Sequence, residues 1–346
     1  MASIQTVRGE IKDNEMGLTL PHEHIFLDLS YYWSGEPKEM SKRAFFAQKM
    51  SLEVRSEAIY NPWAFKDDTI LDDFESAKYE LNAFKSFGGK TIVDVTAYAC
   101  MGRDPVALLN VSGLTGVNVV MSTGRYSEPS MDENEHKMSI EDIEKRMLDE
   151  FKNGVGNTGI KPGLLKVGFQ GELDKESEIK SLRAAARAQK KLGCGLNIHS
   201  NIWQSEAHKF LDIVEEEGGN LKRIILSHMD FTGDDFEYHD SLAKRGAYVE
   251  YDTFGCECVA DPLDTNVWFK SDGQKINYVK KQIELGNVEH LLLSGDMCLK
   301  LFHTKWGGWG YSHIPKHIFP RMRGIGITAE QINTMSVENP RRVFCY

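Results

Sequence analysis

The chain has 346 residues, 41% hydrophobic and 27% charged, and its 41 Lys and Arg against 51 Asp and Glu leave a net charge of −10 with a pI near 5.6. That acidic balance argues against a binder of nucleic-acid backbones, and no apolar stretch reaches the ~20 residues that a membrane span needs. The opening Met-Ala-Ser-Ile-Gln carries no signal-peptide pattern, and six scattered cysteines (Cys100, Cys194, Cys256, Cys258, Cys298 and Cys345) read as reduced thiols of a cytoplasmic protein with a small-molecule substrate.

Residues 2–20 alternate and turn, which predicts a short N-terminal β-hairpin feeding a first core strand at 18–24. Residues 30–66 are rich in aromatic and charged side chains without a clean period, and read as a long insertion with helical pieces. From Asp67 to Phe87 apolar residues fall at helical spacing (Ile70, Leu71, Phe74, Ala77, Leu81, Phe84) before Gly88-Gly89, which predicts one helix. One unit then repeats. Apolar strands are expected at 91–96, 117–122, 163–167, 195–199, 223–228, 247–252 and 291–296, separated by helices at 104–116, 139–151, 176–192, 205–217, 240–244 and 271–285. Short apolar strands alternating with helices are parallel βα units. Counting the first, there are eight, so the expected fold is α/β, a (β/α)8 TIM barrel. Nothing marks a linker, and residues 1–346 read as one domain.

In such a barrel, functional side chains sit at the C-terminal ends of the strands. The first strand ends in His22-Glu-His24. Residues two apart on a strand share a face, so both imidazoles point to one side, as a metal half-site requires, while Glu23 points away. The fourth strand carries Lys166, the fifth ends in His199, the sixth in His228 and the eighth in Asp296. Singly, each has an ordinary reading. A strand-end histidine is often merely hydrogen-bonded, Lys166 could snorkel outward between helices, and Asp296 could pair with an arginine. Together, four histidines, an aspartate and a strand-borne lysine at one barrel mouth form a ligand constellation, and a lysine turned inward there would be desolvated and its pKa lowered. Cys256-Glu-Cys258 could chelate a metal, but no second Cys pair is spaced for a zinc knuckle. Asp230, two residues after His228, is a candidate to orient a ligand histidine, although a surface ion pair fits it as well.

The segments Thr6-Val-Arg-Gly9, Gly17-Leu-Thr-Leu-Pro-His-Glu-His24, Leu165-Lys-Val167, Asn197-Ile-His199, Leu226-Ser-His-Met-Asp230, Ser294-Gly-Asp296 and Glu338-Asn-Pro-Arg-Arg342 resemble the phosphotriesterase-like group of the amidohydrolase superfamily, over nearly the whole chain. Tyr248-Val-Glu-Tyr-Asp-Thr-Phe-Gly255 and Gly307-Gly-Trp-Gly-Tyr-Ser-His-Ile314 look closer to its phosphotriesterase-related branch than to the organophosphate hydrolases. The resemblance implies two divalent metal ions, usually zinc, with manganese, cobalt or iron as alternatives. It assigns His22, His24 and Asp296 to a buried ion, His199 and His228 to a more exposed one, and Lys166, carboxylated by CO2, to the bridge between them. Carboxylation would turn a buried amine into an anion that two cations compensate. Some relatives carry Glu at this position. The resemblance also implies hydrolysis by a metal-bridging hydroxide, with one ion polarising the substrate oxygen and Asp296 passing the proton to the leaving group.

After the third strand the chain reads Ser122-Thr-Gly-Arg-Tyr126. In similar lactonases a Tyr at the matching position contacts nucleophile and substrate, where organophosphate-specialised enzymes carry Trp, so Tyr126 points to a lactone. A rim aromatic that only packs would look the same. The loop after Asp296 holds Lys300, His303, Lys305, Trp306, Trp309, Tyr311 and His313. With Arg125, its cations could recognise a carboxylate or phosphate on the substrate. The expectation is a metal-dependent hydrolase, a lactonase first, with an anionic or phosphorylated lactone as one candidate substrate. The rivals are N-acyl amide hydrolysis, phosphotriesterase activity, and a non-catalytic binding protein on the same barrel, which would predict lost ligands where none of the six positions is lost. A homodimer is common among similar proteins.

Overall fold

The computed structural model describes residues 2–98, 101–170, 173–200, 205–260 and 267–346; Cys100 lies outside them. An antiparallel hairpin, β1 (Ser3–Thr6) and β2 (Gly9–Lys12), opens the chain. The barrel follows as β3 (Leu18–Glu23) and then, beyond a two-residue antiparallel pair β4 (Leu27–Asp28) and β5 (Ile70–Leu71), seven more strands. These are β6 (Gly89–Asp94), β7 (Asn118–Arg125), β8 (Leu164–Gly168), β9 (Gly195–His199), β10 (Ile224–Ser227), β11 (Tyr248–Tyr251) and β12 (Leu291–Leu293). They form one eight-stranded sheet in the order β12-β11-β10-β9-β8-β7-β6-β3, with helices between successive strands. The sheet curls into a nearly closed (β/α)8 barrel. Its seam is joined by one side-chain and one backbone contact: the His22 N–H donates to Ser294 Oγ at 3.0 Å, and the Asp296 N–H donates to the His22 carbonyl at 3.2 Å.

Strand alternation sorts each strand's residues between two cores. Leu165, Val167, Leu196, Leu226, Val249, Leu291 and Leu293 face the helices and join the large outer core. Val93, Val120, Leu164, Ile225, Tyr248 and Leu292 face inward and pack on Ile4 of the hairpin and Val343 and Phe344 of the C-terminal helix, plugging the barrel's N-terminal end. One step further along the same strands, the inward positions turn polar: Lys166, Asn197, Ser227, Glu250 and Ser294 are all buried. The step after that brings His199, Asp252 and Asp296 to the mouth. The barrel interior is therefore apolar below and polar above, and the polar tier is where chemistry can occur.

The insertion between β4 and β5 contains two short helices, Met40–Phe46 and Arg55–Tyr60, and lies over the rim. Tyr32 OH lies 3.0 Å from Ser127 Oγ, just past β7. The Trp63 indole N–H donates to the Ala260 carbonyl beyond β11 at 3.3 Å. Beyond β12, Lys300 pairs with Asp67 at 2.9 Å and the Leu301 N–H donates to Asp68 at 2.7 Å. That last pair explains a departure from the sequence expectation. The helix predicted from Asp67 starts only at Phe74, capped by the Asp73 side chain, because Lys66–Thr69 forms a tight 3-10 turn and Ile70–Leu71 pairs with β4. Among the described residues no helix is long and apolar enough to cross a membrane.

Gly124 on β7 lies in register with Lys166 on β8, and a Cβ there would sit 1.7 Å from the Lys166 carbonyl oxygen. The strand pair beside Lys166 therefore accepts no side chain at this position. Gly124→Ala is expected to cost more than about 3 kcal/mol through forced backbone separation, read as a fall in the thermal midpoint; a midpoint within 2 °C of wild type, a shift of roughly 1 kcal/mol or less, would contradict this packing.

Candidate metal centre

Each candidate ligand arrives by a distinct local device. β3 carries a bulge between Leu20 and Glu23, and this irregularity re-aims the strand end so that His22 and His24 both turn inward. Lys166 and His199 lie on the inward faces of β8 and β9. His228 directly follows the inward-facing Ser227, and alternation alone would turn it out; instead it adopts a left-handed backbone, φ 60°, which returns its ring to the interior. Asp296 is also left-handed, φ 45°. Non-glycine residues rarely hold this conformation without support. At Asp296 the support is Glu23, whose carboxylate accepts the N–H groups of Gly295 at 2.8 Å and Met297 at 3.0 Å and the Ser294 hydroxyl at 2.8 Å. Glu23 faces away from the histidines, as alternation predicts, and clamps the turn that presents Asp296.

The rings are oriented from behind. The Thr96 hydroxyl donates to the Phe26 carbonyl, so the His24 Nδ1–H donates to Thr96 Oγ1 at 2.7 Å and the bare Nε2 faces Asp296 Oδ1 at 3.4 Å. His22 Nε2 lies 3.7 Å from the same oxygen. Asp252 is the shared anchor. Its Oδ1 accepts from His228 Nδ1 at 2.9 Å and from the His228 backbone N–H at 3.1 Å, and its Oδ2 is an ion-pair neighbour of His22 Nδ1 at 2.9 Å. The hydrogen-bond partners of that nitrogen are Glu250 Oε2 and Ser227 Oγ, each at 3.1 Å. With Nδ1 protonated, His228 Nε2 presents a lone pair, and it meets His199 Nδ1 at 2.6 Å. Tyr126 OH stands 3.0 Å from His199 Nδ1, its ring edge-on to the imidazole. Lys166, 1% exposed, donates to Asn197 Oδ1, and burial holds its amine down to about 8 against the pull of Glu250, Asp252 and Asp296. Burial and Lys166 oppose a charge on His22, yet Asp252 and Glu250 raise its imidazole to about 10.

These residues fit a metal centre on their own geometry. Asp296 Oδ1 is buried with no hydrogen-bond donor, although it faces two histidine Nε2 atoms. Two histidine nitrogens 2.6 Å apart need a proton or a cation between or beside them. His22, His24 and Asp296 offer donor atoms all within 4.8 Å of one another, and so do His22, His228 and Asp252. In the second group the Asp252 oxygens are already committed to ring and backbone N–H groups, so Asp252 orients ligands, as a carboxylate behind a metal-bound imidazole does.

Other expectations meet different surroundings. Asp230 does not touch His228; it accepts the backbone N–H groups of Asp252 and Thr253 at 3.0 and 3.2 Å, so it acts on the centre only by fixing Asp252. Arg125 is buried away from the mouth and binds Glu135, at 3.2 Å to its carboxylate and 2.7 Å to its carbonyl. Lys300 is spent on Asp67, Lys305 on Asp73, and His303 on the Met297 carbonyl at 3.1 Å. The structure brings none of these four to the ligand cluster. The Cys256 and Cys258 thiols donate to backbone carbonyls of Gly295 and Val259. Sequence reasoning overlooked Asp252, Glu250, Asn197 and Ser227. A signal for the first two was present, since Glu250 and Asp252 lie two apart on an apolar strand, like His22 and His24.

The mouth beside Tyr126 is aromatic. Tyr126 packs with Leu27, Leu29, Leu71 and Met101 under Tyr31, Tyr32, Trp63 and Cys298. Gly168 admits the Tyr126 ring, since a Cβ there would come 2.5 Å from it.

The sequence model of the Phosphotriesterase family matches residues 2–344. An N-acetyltaurine hydrolase of Dictyostelium discoideum is 32% identical over 363 residues, spanning 99% of this chain and 98% of that protein. A resiniferatoxin-binding protein from Rhodobacter sphaeroides has a TM-score of 0.94 at 36% identity, over 99% of this chain and 94% of that one. A mutant of a PTE-like lactonase from Deinococcus radiodurans has a TM-score of 0.77 at 25% identity, over 99% of both chains.

If Asp252 orients His228 and pairs with His22, Asp252→Asn removes the carboxylate behind the first ring and the charge beside the second. Metal affinity should fall about 10- to 100-fold, measured as metal retained after dialysis against a graded chelator series. Retention equal to wild type would remove Asp252 from this role.

Proposed function

The chain belongs to the phosphotriesterase family, and from that premise we propose that this metal-dependent hydrolase opens neutral, apolar lactones. The observation that carries the reading is the partnerless, buried Asp296 Oδ1 facing two histidine Nε2 atoms, with the Tyr126 phenol at the edge of the same cluster. His22, His24 and Asp296 would hold one divalent cation and His199 and His228 a second, with carboxylated Lys166 between them. Bound there, zinc or a similar ion would supply Lewis acidity, polarising the substrate carbonyl and acidifying the attacking water.

The protein's own groups do the rest. With Oδ1 facing His22 and His24, the other oxygen of the Asp296 carboxylate would take the proton of the attacking water and carry it to the leaving oxygen. The Tyr126 hydroxyl donates toward the carbonyl oxygen as charge develops there. Burial holds this phenol well above its ordinary pKa, so it stays a donor across the working pH range. Tyr31, Tyr32, Trp63 and Met101 receive the apolar body of the substrate and exclude water from it. Arg125, Lys300 and Lys305 are each paired with a carboxylate, which favours a neutral substrate over the anionic or phosphorylated one considered from sequence.

The buried position of Lys166 supports its carboxylation. The neutral amine attacks CO2, an N–C bond forms, and one proton leaves to solvent. Burial lowers the amine to about 8, so the reactive free base grows as pH rises through that value. A second reading, hydrolysis of an N-acyl amide, is favoured by one observation: the full-length similarity to an N-acetyltaurine hydrolase.

Two outcomes are expected. Metal-loaded protein should hydrolyse aliphatic lactones in a pH-indicator assay, lose the activity to chelation, and fall about 100-fold in kcat/KM as Tyr126→Phe; turnover of N-acyl amides with none of lactones would transfer the assignment to the second reading. CO2-dependent reconstitution of metal-free protein, at fixed dissolved CO2, should accelerate from pH 7 to pH 9, and a rate that falls over that interval would contradict the Lys166 chemistry.

A further inference from the structure

Beneath the ligand cluster lies a buried carboxylate that the proposed mechanism does not use. Glu250 is fully buried on the inward face of β11, and strand alternation places it one step below Asp252. Its Oε2 accepts the Asn197 amide at 3.1 Å and the Ser227 hydroxyl at 2.9 Å, and stands 3.1 Å from His22 Nδ1. Its Oε1 has no partner at all. No Lys or Arg is among these contacts; Lys166 reaches it only through Asn197, whose Oδ1 takes the lysine's hydrogen bond.

The crowding around His22 Nδ1 is informative. Asp252 Oδ2 at 2.9 Å, Glu250 Oε2 at 3.1 Å and Ser227 Oγ at 3.1 Å all surround a nitrogen that carries one proton. Glu250 and Ser227 stand where the ring N–H reaches them as hydrogen-bond acceptors, whereas Asp252 is an ion-pair neighbour only. Glu250 is thus the carboxylate placed to accept the His22 Nδ1–H. A buried carboxylate with one oxygen unpartnered is costly unless positive charge lies close by.

We propose that Glu250 is a positioning residue that acts through His22, a fixed negative charge set under the mouth to retain the divalent cations. The assignment rests on the functional reading above. Asp252 holds the His228 ring by a direct hydrogen bond, and Glu250 holds the His22 ring in the same way and raises its electron-donating power. A divalent cation at the mouth would add positive charge beside the buried carboxylate, so Glu250 contributes most to the loaded protein.

Glu250→Gln keeps the shape and the two neutral contacts and removes the charge. The full-length variant and wild type are loaded with zinc, and two quantities are read: the rate of zinc loss to excess chelator, and the thermal midpoint with and without zinc. The expected result is zinc loss at least tenfold faster and a smaller rise in midpoint on adding zinc. A residue with a merely structural role would lower both midpoints alike and leave the rise unchanged. Ser227→Ala, which removes one donor from the same cluster but leaves the charge, should lose zinc less than threefold faster than wild type. Equal zinc loss from wild type and Glu250→Gln, or an equal rise in midpoint on adding zinc, overturns the proposal while leaving the hydrolase reading in place. A wild-type protein that binds no divalent metal overturns both.

Discussion

The hydrogen bonds of one carboxylate hold the mouth of this barrel together. Asp252 accepts from the His228 ring just past β10 and from the His228 backbone N–H, and its second oxygen pairs with His22 from the far end of the sheet order. The two His228 contacts fix the tautomer that leaves Nε2 bare and stabilise the left-handed backbone that turns the ring inward. Asp252 is itself held by Asp230 through its backbone N–H. The chain of dependence runs from a buried acid on the loop after β10, through a strand-end acid, to two imidazoles at the mouth.

The same region gathers an unusual density of buried charge. Glu23, Glu250, Asp230 and Asp252 are each fully buried, and Asp296 is close to it. Desolvation penalises every one of them. Glu23 and Asp230 answer it with backbone N–H groups and a lifted pKa, to about 8 in each case. Asp252 answers it with two imidazoles. Asp296 Oδ1 and Glu250 Oε1 have no hydrogen-bond donor among the described residues. A tier with these two oxygens unpartnered is explicable as half of an electrostatic pair whose other half is cationic. The aromatic roof of the insertion then has a physical purpose: it keeps water from screening that pair.

Much of this was legible in the sequence, because one rule generates it. A period of two on apolar strands places Lys166, His199 and Asp296 on the inward face, and eight repeats of the βα unit place those faces around one axis. The rule reached less far where local backbone departs from it. His22 faces inward through a β-bulge and His228 through a positive φ, neither of which spacing encodes. Loop residues were the least legible. Arg125 and Lys300 are cations near the mouth in sequence, but Glu135 and Asp67, 10 and 233 residues distant along the chain, take them as partners. The helix expected from Asp67 failed for a similar reason: Asp68 is recruited by Leu301, a tertiary contact that no helical period announces.

The central claim is that six side chains from five strands converge to hold two divalent ions, with Lys166 between them. It is tested most directly by X-ray diffraction from crystals of zinc-loaded protein, recorded on both sides of the zinc absorption edge. The account predicts two anomalous peaks at the barrel mouth, one beside His22, His24 and Asp296 and one beside His199 and His228, with continuous density extending from Lys166 Nζ toward both. Peaks at Cys256 and Cys258 or on the outer surface, with none at the mouth, would contradict it.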